Sequence, residues 1–81
     1  MAPYNPPNTH YSQLDVSEYE DKIIKKVVGR GGRGLYRLTK ELKLRYIWHD
    51  RERDVIELWG PYESLRDGAK EKMEMEFVKY I

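Results

Sequence analysis

Four glycines fall within six residues in the run Gly29-Arg30-Gly31-Gly32-Arg33-Gly34. Each glycine inside a helix costs about 1 kcal/mol relative to alanine, so no continuous helix is expected to cross this segment. Both flanks nevertheless carry helical spacing. Tyr19, Ile23 and Val27, with Ile24 and Val28, recur at three and four residues upstream, and Leu35, Leu38 and Leu42 do so downstream. The sequence therefore predicts two amphipathic helices joined by a glycine turn. Ser17, with Glu20 three residues on, reads as a capping box for the first helix. The second begins at Arg33 or Gly34, with a loose first turn because Gly34 lies inside it.

The remaining periodicity is that of strands. Tyr11–Val16 is a short edge strand with Leu14 and Val16 on one face. Leu44, Tyr46 and Trp48 alternate with Arg45, Ile47 and His49, and Ile56 and Leu58 alternate with Val55, Glu57 and Trp59. The polar run from Asp50 to Asp54 turns the chain between them. Gly60-Pro61 ends the last strand and opens a helix, proline being tolerated at a first helical position. Its buried stripe is Leu65, Ala69, Met73, Phe77 and Tyr80. Pro3, Pro6 and Pro7 make residues 1–10 a tail, leaving 11–81 as a single domain. The order β-α-α-β-β-α gives an α+β fold: a three-stranded antiparallel sheet with three helices on one face, which buries all three helical stripes at once.

Eighty-one residues without cysteine must hold together by core packing alone. A stability near ~5 kcal/mol is expected at this size. His10 and His49 have no metal-ligand spacing, and no Ser/His/Asp set or close carboxylate pair stands out, so no catalytic residue, metal or cofactor is expected. With no apolar run of spanning length and no basic-then-apolar start, the expectation is an intracellular protein, cytoplasmic or nuclear, neither secreted nor in a membrane.

Net charge is only +1, but its distribution is uneven. Residues 22–53 hold eleven basic and three acidic side chains, a segment of +8 between flanks of −4 and −3. Such asymmetry focuses a positive field on one region of a nearly neutral molecule. Glycines admit a phosphate closely because no Cβ intervenes, and amides at the following helix start favour anionic oxygen. Arg30 and Arg33 add charge-assisted donors.

The run Val27-Val28-Gly29-Arg30-Gly31-Gly32-Arg33-Gly34-Leu35-Tyr36-Arg37-Leu38 resembles the signature of a KH domain: two aliphatics, a GxxG loop with a basic residue, then aliphatics at three-residue intervals. Ile56, Leu58 and Gly60 resemble the family's last strand and turn, and Ala69 and Met73 its C-terminal helix. The resemblance spans roughly Tyr11 to Tyr80 in the type I, eukaryotic-type order. It implies non-catalytic binding of about four unpaired nucleotides, RNA first and single-stranded DNA second, with sequence read from base edges. Gly29, Arg30, Gly31 and Gly32 would meet the sugar-phosphate backbone, Val28 and Leu35 would support bases, and Ile47 would lie near base edges. Lys22, Lys25, Lys26, Arg33, Arg37 and Arg45 are the surrounding cations. Gly34, a short hairpin connection and the bulk of Trp48 and Trp59 depart from the pattern and would reshape the groove.

Plainer readings stand beside these. The glycine run also suits a flexible turn, the lysines also suit a solvated face, and packing is the first expected role of Tyr36, Tyr46, Trp48 and Trp59, ahead of base stacking. A degenerate KH-like domain serving protein assembly is the alternative function. Helices on one sheet face leave Tyr11, Gln13, Ile47, Val55 and Trp59 on the other, an apolar patch to be covered by a homodimer, by the proline-bearing tail folding back with Tyr4 as its anchor, or by a partner protein. The resemblance also implies service in a larger ribonucleoprotein assembly.

Overall fold

The computed structural model describes residues 10–81. Strand β1 (Tyr11–Asp15) leads to helix α1 (Asp21–Val28). A single 3-10 turn (Arg30–Gly32) then joins it to helix α2 (Arg33–Glu41). Strands β2 (Tyr46–Asp50) and β3 (Val55–Trp59) follow, and helix α3 (Glu63–Val78) ends the fold. β3 is central, paired antiparallel with β1 on one side and β2 on the other. This β-α-α-β-β-α order over a three-stranded antiparallel sheet, with three helices covering it, is the KH-like type I arrangement. The proline-bearing tail, His10 apart, lies outside the described residues.

The core forms where the three helical stripes meet one sheet face. Ile23, Ile24 and Val27 of α1, Leu35 and Leu38 of α2, and Ala69, Met73 and Phe77 of α3 close over Leu14, Ile47, Ile56 and Leu58. Phe77, Ile56, Leu58 and Met73 are fully buried, and Tyr19 stacks on Phe77 at 4.7 Å. Burial of these large side chains supplies most of the folding free energy, at about 1.5–3 kcal/mol each.

Four local expectations are corrected. Ser17 does not cap α1. Its amide donates to the Asp15 carboxylate at 2.8 Å in a turn, and the helix starts four residues later with Glu20 as a cap that makes no side-chain bond. Pro61 is not the first helical residue, because Tyr62 takes the cap position and α3 begins at Glu63. Tyr80 lies beyond the end of α3 and is exposed, its ring 5.4 Å from the Lys26 ammonium.

The fourth correction is Ile47, which faces the helices and not the open side. The alternation does not run unbroken from Leu44: Lys43 adopts a left-handed φ of 57°, and Leu44 enters the core from outside the strand, an odd three residues before Ile47. Parity counted from Leu44 is therefore inverted within β2. The open face instead carries the row Tyr11, Trp59 and Tyr46, with Trp59 buried between the tyrosines at 5.1 and 5.6 Å. Beside it Glu57 accepts from the Tyr11 hydroxyl at 2.7 Å and from Arg53 at 3.5 Å. An exposed patch of Ile47, Val55 and Trp59 is thus absent: of these three, Val55 alone is half-exposed.

Sequence patterning gave no sign of Arg66. It is buried on α3, where Nε donates to Ser12 Oγ at 2.8 Å and a terminal nitrogen donates to the Gly60 carbonyl at 2.7 Å. It thereby ties α3 to β1 and to the end of β3, a role that spacing alone cannot reveal.

Candidate nucleic-acid groove

The helical hairpin is held by glycine at two positions for two different reasons. Gly29 has φ 77° and ψ 166°, a region essentially closed to other residues. Gly34 is in ordinary helical conformation, but a Cβ there would lie 2.0 Å from the Val27 carbonyl oxygen. The end of α1 and the first turn of α2 therefore touch backbone to backbone. Gly34 does not loosen the helix; its small size permits the crossing. Between these two contacts, Gly31 and Gly32 take left-handed φ values of 64° and 80° and have open space where a Cβ would be.

That open space is one wall of a groove of about 720 Å³. The turn and the start of α2 form this wall, and β2 with the loop after it forms the other. β2 is an edge strand, so among the described residues its outer side has no strand partner and backbone groups there are available to a ligand. Val28, Leu35 and Ile47 make an apolar floor, with Leu35 and Ile47 buried. Arg45 and Arg51 bring positive charge to the strand side, while Asp50 and Glu52 bring negative. A hydrogen bond from Arg53 holds the Asp50 carboxyl below its ordinary range, and the same carboxylate caps the hairpin loop by accepting the amides of Glu52 and Arg53.

Of the residues singled out from sequence, Val28, Gly29, Gly31, Gly32, Leu35, Arg45 and Ile47 line this groove. Arg33 and Arg37 do not. They border a shallower depression on the outer side of α2, which meets the groove at Gly31, Gly32 and Tyr36. Arg30 is exposed on the turn but lines neither cavity. Lys22 pairs with Glu20 at 3.4 Å, Lys26 sits by Tyr80, and Lys25 is simply exposed; none of the three reaches the groove. Thr39, His49 and Arg51 line it without having been singled out for it, and Tyr36, Tyr46 and Trp48, expected first to pack and only second to stack on bases, line it as well. Tyr36 was legible as an aromatic next to a glycine turn, but its exposure was not.

His49 is half-buried on the helix side of β2, and its Nε2 has no hydrogen-bond partner among the described residues. Burial, then the Arg51 charge, push its pKa below the ordinary 6.5, against the opposing pull of Asp54, Asp21 and Asp50. The unfolded chain titrates this imidazole near 6.5, so below that pH it takes up a proton that the folded state resists. Stability present above about pH 6.5 should therefore be lost as pH falls towards the depressed folded value. Melting curves from pH 7.5 to 5 should show this decline, flattened in His49→Gln; parallel profiles would refute the assignment.

Among the described residues no group of His, Cys, Asp or Glu is arranged to hold a metal, and no helix is long and apolar enough to cross a membrane. No protein-family profile, curated protein or solved structure matches the chain.

Proposed function

We propose that this domain binds short single-stranded nucleic acid, RNA before DNA, in the groove between the glycine turn and β2, and does so without catalysis. One observation carries the reading: Gly31 and Gly32 leave backbone bare at the mouth of a groove whose floor is apolar and whose far wall is an open strand edge. Bare backbone suits close approach of sugar-phosphate, an apolar floor suits the faces of unstacked bases, and a strand edge offers donors and acceptors to base edges. A duplex is too wide and hides its base edges, which favours unpaired strands. The surrounding +8 segment supplies attraction that is independent of sequence.

Affinity should accordingly depend on salt. Two to four phosphate contacts on a single strand correspond to a slope of roughly 1.5 to 3 in log affinity against log salt. Fluorescence anisotropy with short unpaired RNA between 50 and about 300 mM salt measures that slope. A salt-independent signal, or preference for perfect duplex, contradicts the groove reading. No binding at low salt by a folded protein favours the assembly role instead. A single site this small binds weakly alone, so avidity from a second copy or a larger ribonucleoprotein would complete the function.

A further inference from the structure

We infer that the nucleic-acid site does not end at the groove: the strand continues over the turn onto the outer face of α2, where Tyr36 stacks a base and Arg33, Arg37 and Lys40 hold phosphates. This rests on the groove reading above and extends it. The depression here measures about 520 Å³ and is bordered by Gly31, Gly32, Arg33, Tyr36, Arg37 and Lys40. Gly31, Gly32 and Tyr36 border the groove as well, so the two cavities share a rim and one strand can pass between them.

The chemistry of this rim is that of a single-strand platform. Arg33, Arg37 and Lys40 stand at i, i+4 and i+7, along one face of α2 and over about 10 Å of its length. None of the three has an acidic partner among the described residues, although the domain pairs other cations elsewhere. Tyr36 is 66% exposed and contributes nothing to the core. The Lys40 ammonium lies 4.6 Å from its ring centre, holding one face of the ring beside a cation. Successive bases stacked on aromatics, with cations following the backbone, are how proteins hold single strands without reading sequence. The occupant is therefore the continuation of the grooved strand, and base identity should matter little there.

Anisotropy titrations with tetrauridylate and heptauridylate test this, using wild type, Tyr36→Ala and Arg37→Ala/Lys40→Ala. The heptamer should bind wild type more tightly. Arg37→Ala/Lys40→Ala, at residues that border only the outer depression, should weaken it about tenfold while changing the tetramer less than twofold. Tyr36→Ala, on the shared rim, should weaken the heptamer more than the tetramer. Arg37→Ala/Lys40→Ala should lower the heptamer's salt slope by about 0.7 for each phosphate no longer neutralised. Comparing variants on the same oligomer removes the statistical gain of extra registers. All three side chains are exposed, so unchanged melting curves should accompany these losses. Tetramer binding with a heptamer indifferent to Tyr36 overturns the platform and leaves the groove standing. Failure of both oligomers to bind overturns both.

Discussion

Gly34→Ala should remove most of the domain's stability, whereas Gly68→Ala should increase it. Both glycines are helical, and helix propensity alone favours alanine at each by up to about 1 kcal/mol. At Gly68, exposed on α3, a Cβ meets nothing within 4 Å, so that gain is realised. At Gly34 the new carbon would lie 2.0 Å from the Val27 oxygen and 2.9 Å from the Val28 oxygen. These are backbone atoms at the end of α1, and no flexible side chain can swing aside. Relief requires α1 and α2 to part, which opens the core at Val27 and Leu35. The cost should reach about 3 kcal/mol, the upper end for overpacking, against a total near 5 kcal/mol. In thermal melts Gly68→Ala should rise by about 4–8 °C, and Gly34→Ala should fall by more than twice that or fail to fold. A Gly34→Ala protein that melts within a few degrees of wild type would show that the helices can separate cheaply.

This pair of glycines also marks the limit of what the sequence makes legible. Element order, the placement of the turn and most of the core follow from hydrophobic period, because Ile23, Ile24, Val27, Leu35, Leu38, Ala69, Met73 and Phe77 repeat at helical spacing. Gly34 looked like a weakness because propensity is a one-helix property, while its reason lies in the backbone of a second helix packed against it. Ile47 was misplaced because Lys43's left-handed backbone leaves Leu44 outside the strand, so Leu44 and Ile47, an odd three residues apart, both reach the core and alternation counted from Leu44 comes out inverted. Trp59 looked exposed because a one-sided sheet leaves a bare face, yet two flanking tyrosines bury it. The +8 segment suggested a single basic site; the fold divides it. Arg45 goes to the groove, Arg33 and Arg37 to the outer face of α2, and Lys22 and Lys26 elsewhere. Charge patterning says how much positive potential a segment carries, but only the fold says where it points.

Arg30→Asp/Gly31→Asp should abolish useful RNA affinity while leaving the domain folded. The double change alters the turn by three charge units, taking the central segment from +8 to +5 at the place where phosphate is expected to approach. Arg30 is exposed, and a Cβ on Gly31 has nothing within 4 Å, so neither substitution touches the core. Gly31 does hold a left-handed φ of 64°. Aspartate is among the few residues that enter that region, and the strain should be about 1 kcal/mol, which a domain with about 5 kcal/mol tolerates. Repulsion of phosphate at contact, with loss of close backbone approach, should weaken binding at least tenfold, or about 1.4 kcal/mol. Lys72→Asp on α3, exposed and bordering neither cavity, is the control: it makes two of those three charge changes away from the groove and should change affinity less than twofold. Circular dichroism and melting establish that each variant is folded, and anisotropy with the same tetranucleotide reads the affinity. Equal losses in the control and the double variant would point to diffuse attraction with no defined site. A folded double variant that binds like wild type would remove the glycine turn from the binding site altogether, since no other element of the groove compensates for aspartates placed at its mouth.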